Sequence, residues 1–304
     1  MYKRAILFIM SFFIAVSAFA QTSVNISNAD LSEGQDYTWT KDKVYLLQDM
    51  VFVKPGSRLF IQEGTVIKGA LGDGNEATGL VVTMGAQIFA EGTADEPIIF
   101  TSEIDDLNGS LTELDRGLWA GLVVLGDAPT NNATEDGTKL IEGVNEIANP
   151  ESYASYGGDD IDDNSGVIRY VSIRHTGINV GDVAGNEIQG LTMGGVGSGT
   201  TVEYVESFAS NDDGFEFFGG TVNTKYLVSA FNTDDAFDWD EGFQGSHQFW
   251  FAIQSPGNAN DGYGRAAEQD GATGDENTTP FAHPVISNVT YLGAGQDATP
   301  NAGD

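Results

Sequence analysis

Six carboxylates in two neighbouring segments of this chain have the types and spacing to bind a cation. Residues 204–220 and 226–242 are similar in sequence at a constant offset of 22 residues. Carboxylate oxygens are hard ligands that suit calcium, and the chain offers no cysteine and only three histidines for a zinc site. The offset therefore predicts a calcium site with three pairs of ligands: Asp212 with Asp234, Asp213 with Asp235, and Glu216 with Asp238.

The same acidic residues have a second interpretation. Asp-Asp pairs beside Gly and Asn are typical of turns, in which the carboxylates accept hydrogen bonds from nearby backbone amides. Two like charges about 5 Å apart repel by about 3 kcal/mol at an effective dielectric near 20. Clustered aspartates must therefore protonate, find amide donors or bind a cation. Neither pair has the spacing of an EF-hand, so both interpretations stay open.

The repeat also indicates how these residues are positioned. A period of this length, in segments rich in Val, Phe and Tyr and interrupted by Gly and Asn, is typical of one coil of a solenoid. Short apolar strands recur from Val44 onward, and two-residue hairpin turns between them are rare. We expect an all-β fold, a right-handed parallel β-helix, with long polar edge loops at 102–116, 127–165 and 254–283.

Alternation along the strands predicts which side chains face the interior. Equivalent residues of adjacent coils lie about 4.8 Å apart, and successive residues point to opposite faces. Phe215 and Phe217 should therefore point inward and stack on Phe237 and Trp239 of the next coil. Glu216 and its counterpart in the next coil should point outward.

Two tryptophans are the aromatic candidates for ligand binding, Trp239 and Trp250. Residues 249–251 read Phe-Trp-Phe, and these three neighbours cannot all face the interior. We predict that Trp250 is exposed and serves as a platform for a sugar ring.

The N-terminus has the pattern of a secretory signal peptide over residues 1–20. Lys3 and Arg4 precede an apolar run at 5–17 and a small-x-small cleavage site at 18–20. The apolar run is too short to span about 30 Å of hydrocarbon. We expect a protein without a membrane span that is secreted or displayed on the cell surface.

Composition narrows the choice of partners. The formal net charge is −32, and such a surface repels nucleic acid, which binds through basic patches. The absence of cysteine excludes disulfides and thiolate metal sites. We therefore expect no nucleic-acid partner. We also expect a monomer.

The predicted domain organisation is an N-terminal leader or cap at 21–43 and a β-helix domain at 44–304. The sequence ends soon after a strand-like segment at 285–291, without the polar cap that solenoids need. We expect that the C-terminal part of the β-helix is missing.

Six segments carry a family resemblance: FIQEGTVIKG (60–69), GAQIFAEGTA (85–94), PIIFTS (97–102), LWAGLVVLG (118–126), DNSGVIRYVSIRH (163–175) and NEIQGLTMGGVGSGTT (186–201). The first four resemble successive strands of secreted right-handed parallel β-helix proteins. The last two resemble one group of these, the largely uncharacterised surface proteins of Gram-negative bacteria, of which many carry a type IX secretion sorting domain. The resemblance implies export and surface display, and it supplies no established catalytic residues.

An enzymatic function is the alternative. The acidic residues of 232–235 and His247 resemble the site of β-helical pectin hydrolases, but the chain lacks the Gly-His-Gly and Arg-x-Lys segments of those enzymes. A β-helical polysaccharide lyase would need calcium and a basic residue, for which Arg169, Arg174, Lys225 and Arg265 are the candidates. Because the acidic segment occurs twice, we favour a binding or adhesion protein with a polysaccharide or cell-surface ligand over a lyase or glycoside hydrolase.

Overall fold

A computed structural model describes residues 21–135, 137–183, 185–254, 264–272, 275 and 277–295. The predicted signal peptide at 1–20 lies outside the described residues, as does part of the loop at 254–283. Across the described residues, no helix combines the length and apolar character that a membrane crossing requires. The helical elements among the residues described are one short α-helix, α1 (Val144–Ile147), and two 3-10 turns, Asn28–Asp30 and Glu151–Ala154.

The strands of the described residues are short, and most have four or five residues. They are β1 (Thr22–Ile26), β2 (Asp36–Trp39), β3 (Lys43–Leu47), β4 (Met50–Val53), β5 (Arg58–Ile61), β6 (Val66–Gly69), β7 (Gly79–Val82), β8 (Gln87–Glu91), β9 (Ile98–Ser102), β10 (Leu122–Leu125), β11 (Lys139–Leu140), β12 (Ser155–Tyr156), β13 (Gly166–Arg174), β14 (Leu191–Gly194), β15 (Thr201–Phe208), β16 (Phe215–Phe218), β17 (Asn223–Ala230), β18 (Phe237–Asp240), β19 (Ser246–Gln248), β20 (Phe251–Ile253), β21 (Glu268–Gln269), β22 (Val285–Ser287) and β23 (Thr290–Leu292).

Two long parallel sheets form the walls of a parallel β-helix, which confirms the predicted fold class. Sheet A has the order β1-β3-β6-β9-β13-β15-β17-β19-β22, and β2, β5, β8, β20 and β23 extend its coils. Sheet B has the order β4-β7-β10-β14-β16-β18-β21. The pairs within both sheets are parallel, whereas β11 and β12 form a small antiparallel pair in the 127–165 loop.

The repeated acidic segment spans consecutive coils of this solenoid. In sheet B, Phe215 pairs with Phe237, and in sheet A, Val205 pairs with Leu227. Both pairs have the 22-residue offset of the sequence repeat. The repeat therefore stacks equivalent residues on one another, as predicted.

The β-helix begins before the predicted boundary at residue 44. β1 pairs in parallel with β3, and β2 pairs in parallel with β5. Both strands lie within 21–43, so this segment forms a coil at the end of the sheets. Trp39 and Leu31 of this segment are buried in the interior core.

The interior is filled with stacked apolar side chains. Phe215 stacks on Phe237 with ring centroids 5.4 Å apart, and both rings are fully buried, as predicted. Phe217 pairs in register with Trp239, but its ring stacks on Phe243 at 4.4 Å. Stacked aromatic rings add to the stability gained by burying their apolar surface.

In each of four coils, an aromatic residue forms the same bend in sheet A. Tyr170, Tyr204, Tyr226 and Phe249 have positive φ angles of 50°, 56°, 57° and 61°. This left-handed conformation is unusual for bulky residues and interrupts the alternation of the strand. Each of the four side chains points outward, directly after another outward residue. We call these four residues the corner row.

The 127–165 loop packs against the outer face of sheet B. Its Tyr156 and Val144 join Val123 and Phe218 of the sheet in a second hydrophobic cluster. Glu241, which is fully buried, accepts hydrogen bonds from the Tyr156 hydroxyl at 2.7 Å and from Thr130 at 2.8 Å, and forms an ion pair with Lys139. These contacts fix the loop on the sheet beside the acidic residues.

Candidate metal centre and the surfaces around it

The acidic residues come from two loops and from the strands that follow them. Asp212 and Asp213 precede β16, which carries Glu216 on its outer face. Asp234 and Asp235 precede β18, which carries Asp238 at the position paired with Glu216. Because the coils are in register, the sequence repeat places these side chains along one edge of sheet B.

Five of the six predicted ligands form two carboxylate groups that share Asp213. Asp212, Asp213 and Asp234 form the first, and Asp213, Glu216 and Asp238 form the second. In each group the nearest carboxylate oxygens all lie within 4.8 Å of one another. We call the five residues together the acidic centre.

The acidic centre is buried at Asp213 and Glu216 and more open at its other three residues. Asp213 and Glu216 are each only 7% exposed, and Oε2 of Glu216 has no hydrogen-bond partner. Glu216 does face away from the interior aromatic ladder, as predicted. Its burial was not predicted, and it arises on the face of sheet B that the 127–165 loop covers.

Burial and mutual repulsion oppose ionisation of these carboxyls. Burial raises the pKa of Asp213 and of Glu216 well above the usual range, and repulsion from neighbouring carboxylates adds to the effect. Burial, followed by repulsion from Glu187 and Asp234, raises the pKa of Asp212 to about 8. The pKa of Asp238 is raised to about 7, again mainly by burial. The acidic centre can therefore exchange protons for a hard cation near neutral pH.

Asp235, the sixth predicted ligand, lies outside both carboxylate groups, although its charge helps to raise the pKa of Asp213. The backbone amide of Asp235 donates to Oδ1 of Asp213 at 2.8 Å. Its own carboxylate lies 3.6 Å from Nη1 of Arg265. Burial, followed by repulsion from Asp234, raises the pKa of Asp235 to about 8.

Three glutamates and a glutamine near the carboxylates were not predicted. Charges on Glu142 and Glu187 raise the pKa of Asp212, and Gln189 donates to Oδ2 of Asp212 at 3.3 Å. Glu268 lies near Asp235 and raises its pKa. Glu187 and Gln189 precede β14, the coil before the repeat. Glu142 comes from the 127–165 loop, and Glu268 lies in β21, where it pairs in register with Asp238. No repeat connects these residues with the acidic pairs in the sequence.

The prediction that Trp250 is an exposed platform is wrong. Trp250 is 1% exposed, stacks on Phe237 at 4.3 Å, and donates from its indole nitrogen to Thr224. Trp239 is 5% exposed and also lies in the core, so neither tryptophan presents a ring to solvent. The left-handed conformation of Phe249 is the reason, because it turns Phe249 outward and Trp250 inward.

The corner row supplies exposed aromatic side chains instead, because Tyr204, Tyr226 and Phe249 are all exposed. Successive rings stack with centroids 4.4 Å, 4.4 Å and 4.9 Å apart, in the order Tyr170, Tyr204, Tyr226, Phe249. The stacking covers the faces of the inner rings and leaves ring edges and tyrosine hydroxyls at the surface. A shallow apolar groove of about 300 Å³ runs beside Tyr204, Tyr226 and Phe249.

His247 does not support the hydrolase interpretation. It is buried between Phe243 and Trp250, and Nδ1 lies 3.0 Å from the Thr224 hydroxyl. Burial lowers the pKa of His247 to about 4. The side chain is inside the coil, so it cannot act with Asp234 and Asp235 on an external substrate.

Comparison with known proteins agrees with this architecture. Residues 30–303 match the family model described as a pectate-lyase like beta helix domain. The match spans most of the chain, which therefore belongs to the pectate-lyase-like β-helix domain family. None of the curated proteins and none of the solved structures matches this chain.

Proposed function

We propose that this chain is an exported β-helix binding protein whose acidic centre holds calcium. The observation that carries the proposal is the Glu216 carboxylate, which is buried beside Asp213 and Asp238 and leaves Oε2 without a hydrogen-bond partner. A buried polar atom without a partner is costly, and a cation would satisfy it.

The ligands that the acidic centre offers favour calcium over other metals. All of them are carboxylate oxygens, and calcium accepts six to eight oxygens in irregular geometry. Asp213, Glu216 and Asp238 would hold the ion, and Asp212 and Asp234 would supply further oxygens on the other side of Asp213. Zinc would prefer cysteine or histidine, and neither is present in the two carboxylate groups.

Calcium at this position would stabilise the fold. The ligands come from two consecutive coils, so one ion would link the loop before β16 with the loop before β18. It would also remove the repulsion among carboxylates that burial intensifies. We propose a structural calcium ion, in keeping with an acidic motif that occurs in two coils.

The ligand that this protein binds is proposed to be a polysaccharide or another cell-surface glycan. Support comes from the exposed corner row, which takes the place of Trp239 and Trp250 as the aromatic surface. Ring edges and hydroxyls of Tyr204 and Tyr226 would contact the sugar, because their faces are covered by stacking. The signal-peptide pattern supports export, and the family resemblance supports surface display by type IX secretion.

Calorimetric titration of calcium into chelator-treated protein tests the metal proposal. Asp213→Asn keeps an oxygen acceptor for the Asp235 amide but removes the charge that both carboxylate groups share. We expect calcium binding to the wild type and about tenfold or weaker binding to this variant. Glu203→Gln is the control, because Glu203 pairs with Arg169 outside the acidic centre. No calcium binding by the wild type would refute the proposal.

A second candidate function is a polysaccharide lyase, which one specific contact favours. Arg265 lies 3.6 Å from Asp235 beside the acidic centre, where a lyase would place a basic residue. Nη1 of Arg265 also lies 2.8 Å from Oε2 of Glu268, which gives the guanidinium a second carboxylate partner. Incubation with polygalacturonate tests this function: formation of unsaturated ends that is lost in Arg265→Gln would establish it.

A further inference from the structure

A cleft on sheet A is lined by residues that have no role in the proposed function. It has a volume of about 280 Å³ and lies between the 102–116 loop and the ends of β13 and β15. Its lining differs from the acidic centre and includes Leu107, Leu111, Arg174, His175, Glu206 and Phe208.

One hydrogen-bond chain fixes a positive and a negative group side by side in this cleft. Ser172 Oγ accepts a 2.7 Å hydrogen bond from Nε of Arg174 and donates a 2.5 Å hydrogen bond to Oε2 of Glu206. The two charged groups are therefore at most two hydrogen bonds apart. In the part of the chain that the structure describes, the Nη groups of Arg174 contact no carboxylate.

The rest of the cleft is apolar, with walls supplied by Leu107, Leu111 and Phe208. His175 has a left-handed φ angle of 62° because it forms a corner of the coil, and the same conformation recurs at Ala209 and Phe231, the equivalent positions of the next two coils.

His175 forms a neutral part of the lining. Its Nδ1 lies 2.5 Å from the carbonyl oxygen of Asp115, and its ring meets the edge of Phe208. Burial lowers the pKa of His175, so the ring carries no charge at neutral pH. The Asp105 carboxylate is bound by the Thr101 hydroxyl and the Leu107 amide, which turn it toward its own loop.

We propose that this cleft binds a free α-amino acid with an apolar side chain. A guanidinium recognises a carboxylate with two parallel hydrogen bonds, and Glu206 can accept hydrogen bonds from an ammonium group. An α-amino acid carries both charges close together and adds an apolar side chain for Leu107, Leu111 and Phe208. A simple anion would be repelled by Glu206, and a simple cation would be repelled by Arg174.

Titration of the protein with phenylalanine and with two analogues tests whether the ammonium group and the carboxylate of the ligand are both needed for binding. 3-Phenylpropanoate lacks the ammonium group, and phenethylamine lacks the carboxylate. We expect phenylalanine to bind and each analogue to bind about tenfold to a hundredfold more weakly, since each loses its charged hydrogen bonds. No binding of phenylalanine at millimolar concentration would overturn the proposal, and so would equal binding of either analogue.

Variants locate the binding to the cleft. Arg174→Gln and Glu206→Gln should each weaken phenylalanine binding about tenfold or more. Arg169→Gln and Glu203→Gln are matched controls, because this ion pair lies on the same two strands at the other side of the corner row. Equal weakening by the controls would contradict the assignment, and circular dichroism checks the fold of each variant. The titrations are done in chelator, so their outcome is independent of calcium.

Discussion

The backbone amide of Asp235 donates a 2.8 Å hydrogen bond to Oδ1 of Asp213, the equivalent residue of the preceding coil. This bond agrees with the turn interpretation of the Asp-Asp pairs for one oxygen. It leaves Glu216, Asp238 and Asp212 crowded around the same carboxylate. The turn interpretation and the calcium interpretation therefore apply to different atoms of one cluster.

The calcium-free protein should lose stability as pH rises from about 4 to about 8. Unfolded aspartates titrate near 3.9, whereas the folded pKa is about 8 for Asp212 and Asp235 and about 7 for Asp238. The folded state therefore binds more protons in this window, and its stability falls with rising pH. Thermal unfolding in chelator at pH 5.5 and 8.5 measures the effect.

Calcium should reduce this pH dependence, because the ion takes the place of the protons. Asp36 is an internal comparison: its ion pair with Arg58 lowers its pKa, so it affects stability below pH 4 and not in this window. A melting temperature in chelator that rises between pH 5.5 and 8.5 would contradict the account.

Glu216→Gln should stabilise the calcium-free protein at pH 8 and destabilise it relative to wild type when calcium is present. Because burial raises the pKa of Glu216 well above its usual range, the folded protein at pH 8 must either bury this charge or take up a proton. Glutamine avoids both costs, a change on the order of 1 kcal/mol in the free energy of unfolding. The same change removes a calcium ligand. Melting temperatures of both proteins in chelator and in calcium check the reversal. Destabilisation of equal size in both conditions would mean that Glu216 has only a packing role.

Trp250→Ala should cost about 3–5 kcal/mol of stability, whereas Phe249→Ala should cost about 1 kcal/mol. Trp250 is 1% exposed inside the coil, and Phe249 is 39% exposed at the end of the corner row. Urea denaturation of the two variants compares these adjacent aromatic residues directly. If Phe249→Ala were the more destabilising, the assigned orientations at this corner would be wrong.

Glu241→Ala should release the 127–165 loop from sheet B. The substitution leaves Lys139 and the Tyr156 hydroxyl without their shared partner, and breaking such a buried pair costs about 3–5 kcal/mol. We expect faster proteolytic cleavage within this loop. Asp42→Asn serves as the control, since Asp42 accepts a hydrogen bond from the nearby Thr40 hydroxyl at the surface, away from this loop. An unchanged rate of cleavage in the Glu241 variant would contradict the claim that Glu241 holds this loop on sheet B.

The coil and its stacked residues follow directly from the sequence. The 22-residue offset predicted the pairing of Phe215 with Phe237 and of Glu216 with Asp238, and the register confirms both. A parallel β-helix stacks equivalent positions of adjacent coils, so residues that are one repeat apart in the sequence contact each other. This regularity also brought five of the six predicted carboxylates together.

The orientation of Trp250 and the burial of Glu216 depend on interactions that the inward–outward alternation of strand residues does not predict. One left-handed residue, Phe249, reverses the orientation of Trp250, and sequence alone does not indicate where the strand bends. Burial of Glu216 depends on how the 127–165 loop folds over sheet B. Glu142 belongs to this loop, and its charge raises the pKa of Glu216. Long loops carry no period, so their contacts were not predicted.

Thermal unfolding with and without chelator tests the central claim most directly. A calcium ion that binds only the folded protein stabilises it by about 2.7 kcal/mol at a hundredfold excess over the dissociation constant. We predict a clearly higher melting temperature in calcium than in chelator at pH 7.5, and a much smaller difference for Asp213→Asn. An identical melting temperature of the wild type in both conditions would contradict calcium binding at the acidic centre.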